Sequence, residues 1–427
     1  MYTFMREKRP DKFSRLLPDP STVMKKLSVQ MLVAVLLGAI TGLVVAAVHS
    51  AAADRAVSII APMGTIWVNA ILMTVVPLVV VNVIVAAASS AEQRNAVRGA
   101  TGTFAMFVGV VTASAILCAV LSPVLLAAIV PAGAIPVPPS AVAAAQQQPS
   151  LSALVVSIVP QNPVRAAADG AMLGLIVFSL LFGFATTRIK PEQRSSVVQL
   201  CRAVSDALLV IVGWVLRVGP IGVFALLVPV AARIGLDVLR SLAGYLFVVA
   251  VLCLVVTAGA YVLAATLGAT PLRRFARALA APQAIAFGSR SSLASLPALM
   301  HAAEDDLSLG VEVSGLVLPL ATAMLKVAAP IASITGAVFI ARVYGIHLGA
   351  AHMIPVIATS VFTSFGVPGV PNGAWTQLPV FLVAGIPPEG IGILLAVDAI
   401  PDALRTVTNV SMDLAVATVI GRWTRAG

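Results

Sequence analysis

Six charged side chains interrupt the apolar runs of the last two-fifths of this chain: Arg290, Lys326, Asp398, Asp402, Arg405 and Asp413. A charge at bilayer depth costs roughly 2.5–3.5 kcal/mol on insertion scales, so such groups face a cavity or one another and mark a substrate or ion path. Four of the six fall in AVDAIPDALRTVTNVSMD (residues 396–413), with Thr406 and Asn409 among them. At about 100° per helical residue, positions 398, 402, 405, 406, 409 and 413 share an arc of roughly 100°. A guanidinium, carboxylates, a hydroxyl and an amide on one helix face form a polar ligand surface.

The elements that must position this face are membrane helices. The 427 residues are 59% hydrophobic and 10% charged, with a mean hydropathy of +1.03. That lies far outside the range of soluble globular proteins. Apolar runs of about 20 residues recur along the whole length, which predicts an all-α polytopic membrane protein. A net charge of +10 would point to nucleic acid in a soluble protein. Here the basic residues sit in short loops between spans, where they orient the chain in a bilayer, and no nucleic-acid partner is expected. The partner is membrane lipid. Cys118, Cys201 and Cys253 are scattered through or beside apolar segments and read as packing residues.

Spans are expected at about residues 27–49, 58–88 (with Pro77 as a kink), 99–130, 151–187 (broken near Pro160 and Pro163), 207–232 and 242–267. The Pro/Ala/Gln-rich stretch 131–149 lacks a basic residue and reads as an external loop. The N-terminus, residues 94–98, 188–194 and 273–277, and the final RWTR are the basic ends, which places both termini in the cytoplasm. After residue 280 the pattern changes. Segments 281–303 and 352–386 are apolar but centred on FGSRSSLASLP and TSFGVPGVPNGA, flanking a continuous span at about 314–344. Such backbone survives at membrane depth only where it lines a cavity or is buried in protein. Two re-entrant hairpins in inverted halves are the pattern of a secondary transporter with a site at the midplane.

Seven motifs occur in order: VPLVV (76–80), SIVPQNPVRAAADGAMLGLIVFSLLFG (157–183), GPIGVFAL (219–226), SRSSLASLP (289–297), LPLATA (318–323), GVPGVP (366–371) and VDAIPDALRTVTNVSMD (397–413). In these the chain resembles the dicarboxylate/amino acid:cation symporter family, over essentially everything after the N-terminal tail. The resemblance implies a homotrimer of eight transmembrane helices plus two re-entrant hairpins per protomer, with a scaffold and a transport part that moves as an elevator. It divides the chain into a cytoplasmic tail (1–26), three spans that are mainly scaffold with the third in the transport part (27–130), spans four to six with the external loop (131–270), and a transport core (271–427). That core holds hairpin 1, span seven, hairpin 2 and span eight. The implied setting is a bacterial cytoplasmic (inner) membrane.

The same resemblance carries roles onto single residues. Arg405 takes the position that clamps a substrate side-chain carboxylate, a task suited to a planar bidentate fork. Asp402 takes the ammonium, and Thr406 and Asn409 the α-carboxylate. Ser291 and Ser292 belong to the tip of hairpin 1, and Val370 to Gly373 to the tip of hairpin 2, where backbone amides hold an anion. Arg290 matches an arginine that some prokaryotic members place in hairpin 1, as a substrate contact or as a support of the tip. Plain dicarboxylate carriers resemble this chain at the arginine but lack the aspartate. Asp402 therefore favours an acidic amino acid as the substrate.

Span seven departs from the family. The Asn-Met-Asp-Gly-Thr motif of sodium-coupled relatives falls on Leu325, Lys326, Val327, Ala328 and Ala329, and Leu and Val offer no oxygen to a hard cation. In span three, Phe107, Val110 and Val111 stand where relatives carry Tyr and Thr/Ser ligands. Asn409 and Asp413 remain as residual sodium ligands. The backbone at Ser364, Phe365 and Val367 matches a further sodium site made of carbonyls. No cofactor is expected, and sodium is possible but largely dispensable. Lys326, the only lysine after residue 190, has three readings: a tethered charge in place of sodium near Asp413 or Asp398, a proton carrier, or a structural pair.

An enzyme is disfavoured. His49, His301, His347 and His352 all lie at span ends, and neither Gly-x-Ser-x-Gly nor His-Glu-x-x-His occurs. The expected function is secondary transport of L-aspartate or L-glutamate with weakened or lost sodium coupling. The alternatives are a dicarboxylate carrier, an uncoupled or proton-coupled carrier, or a sensor on the same fold.

Overall fold

The computed structural model describes residues 20–48, 50–96, 100–133, 156, 159–169, 171–234, 237–310, 313–365 and 376–426. All regular structure among them is helical. Three long helices come first: α1 (Pro20–Val48), α2 (Ala51–Ala96) and α3 (Ala100–Ile129). With 46 residues, α2 is roughly 70 Å long, more than twice the hydrocarbon thickness of a bilayer, and it runs unbroken through Pro62 and Pro77. A short α4 (Pro163–Ala168) is capped by Asn162, whose Oδ1 accepts from the amides of Val164 and Arg165. Then follow α5 (Met172–Thr186), α6 (Pro191–Arg217), α7 (Gly219–Ile234) and α8 (Asp237–Thr266). The span expected at 207–232 is divided at Val218. Its first part belongs to α6, which packs on α2, and its second is α7, which packs on α1 and α2. A hydropathy scan reads through that junction because both sides are apolar.

Hairpin 1 begins with α9 (Leu272–Ser289). It ends where Arg290 adopts a left-handed backbone, φ 54°, its amide still bonded to the Ala286 carbonyl at 2.9 Å. A left-handed non-glycine residue is uncommon, and here it turns the chain at the serine-rich tip. A single 3₁₀ turn (Leu293–Ser295) leads into α10 (Leu296–His301), with Pro297 in its first turn, where a missing N–H costs nothing.

Span seven is not the continuous helix the sequence predicts. It consists of α11 (Leu318–Met324) and α12 (Ala329–Val343), separated by residues 325–328. Leu325 is extended at φ −82°, ψ 93°, and Pro330 sits in the first turn of α12. The unwound residues are Leu325, Lys326, Val327 and Ala328, the stretch whose side chains differ from the family motif. Hairpin 2 has one arm in α13 (Ala350–Ser364) and another in α14 (Leu378–Val383), packed together. Its tip, with Val367, Val370 and Gly373, lies outside the described residues, as does the loop expected at 131–149 apart from its first three residues. The chain closes with α15 (Ile391–Val397) and α16 (Ala399–Ala426). At the other end α1 starts at Pro20, inside the segment expected to be a tail.

Seven helical segments among the described residues are long and apolar enough to cross a membrane. Burial sorts them. In their most apolar stretches, 83% of the residues of Val313–Val343 and of Ile400–Thr424 are buried, against 28% for Gly102–Ile129 and 17% for Pro191–Arg217. Helices buried on nearly every side belong at the centre of an assembly. Span seven and α16 therefore form the axis, while apolar side chains such as Leu36, Ile59, Val120 and Leu254 face outward. Packing follows two groups. Helices α2, α5, α6 and α7 gather with α1, and α3, α8, hairpin 1 and hairpin 2 gather around α12 and α16.

Candidate functional site

The site is built on α16. Its polar residues Asp402, Arg405, Thr406, Asn409 and Asp413 are all buried, and Asp398 at the α15–α16 junction joins them. Arg405 Nη2 donates to Asp398 Oδ1 at 2.6 Å and lies 3.4 Å from Asp402 Oδ1. One guanidinium thus faces two carboxylates, and Asp398 Oδ2 has no hydrogen-bond partner. The sequence placed Asp398 on the polar face of the site but gave it no substrate role. Its signal was the i, i+7 spacing to Arg405, two turns along one face. Asp398 is engaged by Arg405, and the carboxylate that interacts electrostatically with Lys326 is Asp413. Thr406 Oγ1 donates to the Asp402 carbonyl at 2.7 Å, a local bond that fixes its rotamer. Tyr245 of α8 is another residue the sequence did not single out. It is fully buried, its ring 4.9 Å from Phe339, within electrostatic range of Arg405.

One turn further along α16, the unwound part of span seven is sewn to its surroundings. Asn409 Oδ1 accepts from the Ala328 amide at 2.8 Å, and Ser114 Oγ of α3 donates to the Val327 carbonyl at 2.8 Å. The backbone freed by unwinding is thereby satisfied from both sides, as membrane depth demands. Lys326 is 5% exposed and its ammonium donates to the Thr322 carbonyl. Asp413 is 0% exposed, and neither of its carboxylate oxygens has a hydrogen-bond partner. Lys326 and Asp413 interact electrostatically, at a separation beyond direct ion pairing.

The hairpins supply the flanks. Hairpin 1 runs along α16, with Gln283 Nε2 donating to Ser411 Oγ at 3.0 Å, and its tip packs on α11. Ser291 stays within its own turn: its hydroxyl accepts from the Ala294 amide at 3.3 Å and its carbonyl from Ser295 Oγ at 3.2 Å. Ser292 is buried and Arg290 half-buried. In hairpin 2, Ser364 is buried with its hydroxyl on the Ser360 carbonyl at 2.6 Å, and Ser360 pairs with Ser333 of α12 at 2.8 Å. Phe365 stacks at 5.7 Å on Phe104 of α3. The structure thus brings Arg405, Asp402 and Thr406 together, and Asn409, Lys326 and Asp413 one turn away.

The residues beside Asp413 do not fit a sodium ion. Sodium needs several oxygens converging at short range. Leu325 and Val327 bring none by side chain, and the span-three positions that the resemblance points to, Phe107 and Val111 of α3, are wholly buried hydrocarbon. Apart from the Asp413 carboxylate itself, three further oxygens of this region already hold protein donors: Asn409 Oδ1 an amide, the Val327 carbonyl a hydroxyl, and the Thr322 carbonyl the lysine.

Known proteins resemble this chain across the same regions. It is 28% identical over 403 residues to a proton/glutamate-aspartate symporter of Escherichia coli (strain K12), covering 92% of each chain. It is 26% identical over 375 residues to a C4-dicarboxylate transport protein of Laribacter hongkongensis, covering 86% of this chain and 84% of that one. A proton/sodium-glutamate symport protein of Bacillus subtilis (strain 168) is 29% identical over 282 residues, 65% of each chain. The pattern of the sodium:dicarboxylate symporter family matches residues 27–423, from within α1 to the last turn of α16 and across every residue of the site, so the chain belongs to that family of membrane transporters and is not an enzyme.

Proposed function

We propose that the protein carries acidic amino acids, L-aspartate or L-glutamate, across a bacterial cytoplasmic membrane, with Arg405 and Asp402 as the discriminating pair. The observation that carries the reading is the charge count at Arg405: one guanidinium between two buried carboxylates, Asp398 and Asp402. A substrate carboxylate alone would add negative charge beside two carboxylates that share one guanidinium. A substrate that also brings an ammonium group offsets that charge, and Asp402 is the carboxylate less tightly held by Arg405. The names of the relatives agree with this class, since two of the three carry glutamate. Thr406 and Asn409 take the α-carboxylate. Ser291, Ser292, Arg290 and the hairpin 2 tip at Val370 and Gly373 close over it.

The mobile part is the group centred on α12 and α16, sliding against the group around α1 and α2 in a homotrimer, an elevator supported by the packing division. Sodium is not required for binding beside Asp413. The carbonyls at Ser364, Phe365 and Val367 are the remaining place for a cation. A second reading, a dicarboxylate carrier, is favoured by the C4-dicarboxylate transport protein among the relatives. Uptake of labelled aspartate, glutamate and succinate into sealed proteoliposomes, with and without sodium and proton gradients, separates the two. Acidic amino-acid uptake that succinate inhibits poorly supports the proposal, and uptake of succinate alone overturns it. Binding without any uptake would identify a sensor.

A further inference from the structure

We propose that Lys326 is a tethered cation: its ammonium stands beside Asp413 in place of a diffusible sodium ion, so that the transport core carries its own positive charge and takes none from solution at that place. The inference builds on the carrier reading only in its choice of assay ligand. Three observations converge on it. Asp413 is wholly buried with both oxygens lacking a donor, so its carboxylate can hold charge there only with a cation nearby. Lys326 lies on the unwound stretch 325–328, which the Asn409–Ala328 bond holds against α16 one turn from Asp413. The oxygen set around them is too poor and too engaged for sodium, as derived above.

A lysine ammonium suits the place physically. It is a compact point charge on a flexible stem, able to hold a carbonyl while compensating a carboxylate a short distance away. The Thr322 carbonyl belongs to the last turn of α11, where the helix dipole leaves partial negative charge. The ammonium therefore answers two negative features at once. A cation supplied by the chain does not dissociate, so the free energy of binding is not linked to sodium concentration there.

The test uses the full-length purified protein, with sodium exchanged for choline. Two readings are taken: thermal melting without substrate, and aspartate and glutamate affinity by calorimetry. In the parent, sodium should change affinity by less than about threefold, and Asp413→Asn should not alter that response. Lys326→Met leaves the Asp413 carboxylate without its cation in a place too poor in oxygen for sodium, so its melting temperature should fall and sodium should not restore it. Adding Asp413→Asn to Lys326→Met should recover the melting temperature, and Lys326→Arg should keep it close to that of the parent. A sodium response in the parent that Asp413→Asn removes would overturn the proposal, as would a folded Lys326→Met that melts like the parent or a loss that Asp413→Asn does not recover. If Lys326→Met does not fold, the parent and its Asp413→Asn variant still decide. If neither amino acid binds in any buffer, the carrier reading fails, while the melting data continue to test Lys326.

Discussion

Two helix seams in this protein are built on opposite terms. Where α1 and α2 meet α7, the contact is dry and close. A Cβ on Gly42 would stand 2.5 Å from the Cβ of Ala231 and 2.6 Å from the Val228 carbonyl, and one on Gly222 would stand 2.2 Å from the Trp67 ring. Trp67 itself is answered, its Nε1 donating to the Val215 carbonyl at 2.9 Å. Small residues that bring backbones together are the way helices associate in lipid, where apolar surface gives no driving force. Where span seven meets α16 the terms reverse. Buried charges outnumber their direct pairings, and acceptor atoms on Asp398 and Asp413 lack donors. The first seam specifies one arrangement. The second keeps buried charge and unpartnered acceptors, the features on which the proposed ligand site rests.

The comparison implies that substitutions in the second seam act first on ligand affinity. The largest effect is expected at Arg405. Arg405→Cys removes a charge-assisted contact in a dry site, worth on the order of 2–5 kcal/mol, or roughly thirty- to several-thousandfold in aspartate affinity. The variant should keep or gain affinity for a small neutral amino acid such as serine, which reports that the site is still folded. Calorimetry showing undiminished aspartate and glutamate binding would remove Arg405 from the site.

In the first seam the effect should fall on stability instead. Gly42→Leu drives a side chain into Ala231 and the Val228 carbonyl and forces α1 away from α7. Overpacking of this kind costs about 1–3 kcal/mol. The melting temperature of the full chain in detergent should drop, while the affinity of the protein that remains folded stays close to that of the parent. A change in affinity with unchanged melting would mean that the two seams are not separate in function.

The seams also differ in how they show themselves in sequence. The charged face of α16 was legible because period 3.6 groups residues 398 to 413 without tertiary information, and because charges in apolar runs are rare. The break after α9 was legible from the Ser-rich run SRSSLASLP, where the helix ends at Arg290, while the Pro/Gly-rich run of hairpin 2 lies outside the described residues. The break at 325–328 was not. No glycine marks it, Leu-Lys-Val-Ala-Ala reads as helix by propensity, and the bonds that stabilise it come from Ser114 and Asn409, 213 and 81 residues away. The junction at Val218 was hidden because both its sides are apolar. Asp398 was counted among the charges, but its pairing with Arg405 became visible only once α15 and α16 were joined.

The finest test of the second seam lies at Asp402, where the expected effect is smaller and its sign depends on the ligand. Asp402 sits in the first turn of α16, 3.4 Å from the guanidinium, while Asp398 holds the same nitrogen at 2.6 Å. Asp402→Ser therefore leaves Arg405 oriented. For aspartate or glutamate, the variant loses the carboxylate that meets the ammonium and should bind about tenfold more weakly or worse, near 1.4 kcal/mol. Succinate has no ammonium, and removal of one negative charge beside its carboxylates should leave its binding unchanged or tighter. The ratio of the two affinities, measured by calorimetry on parent and variant, isolates the ammonium contact from any general loosening of the site. Equal loss for both ligands would mean that Asp402 serves to balance Arg405 and hold the first turn of α16. Opposite movement would make it the residue that tells an amino acid from a plain dicarboxylate.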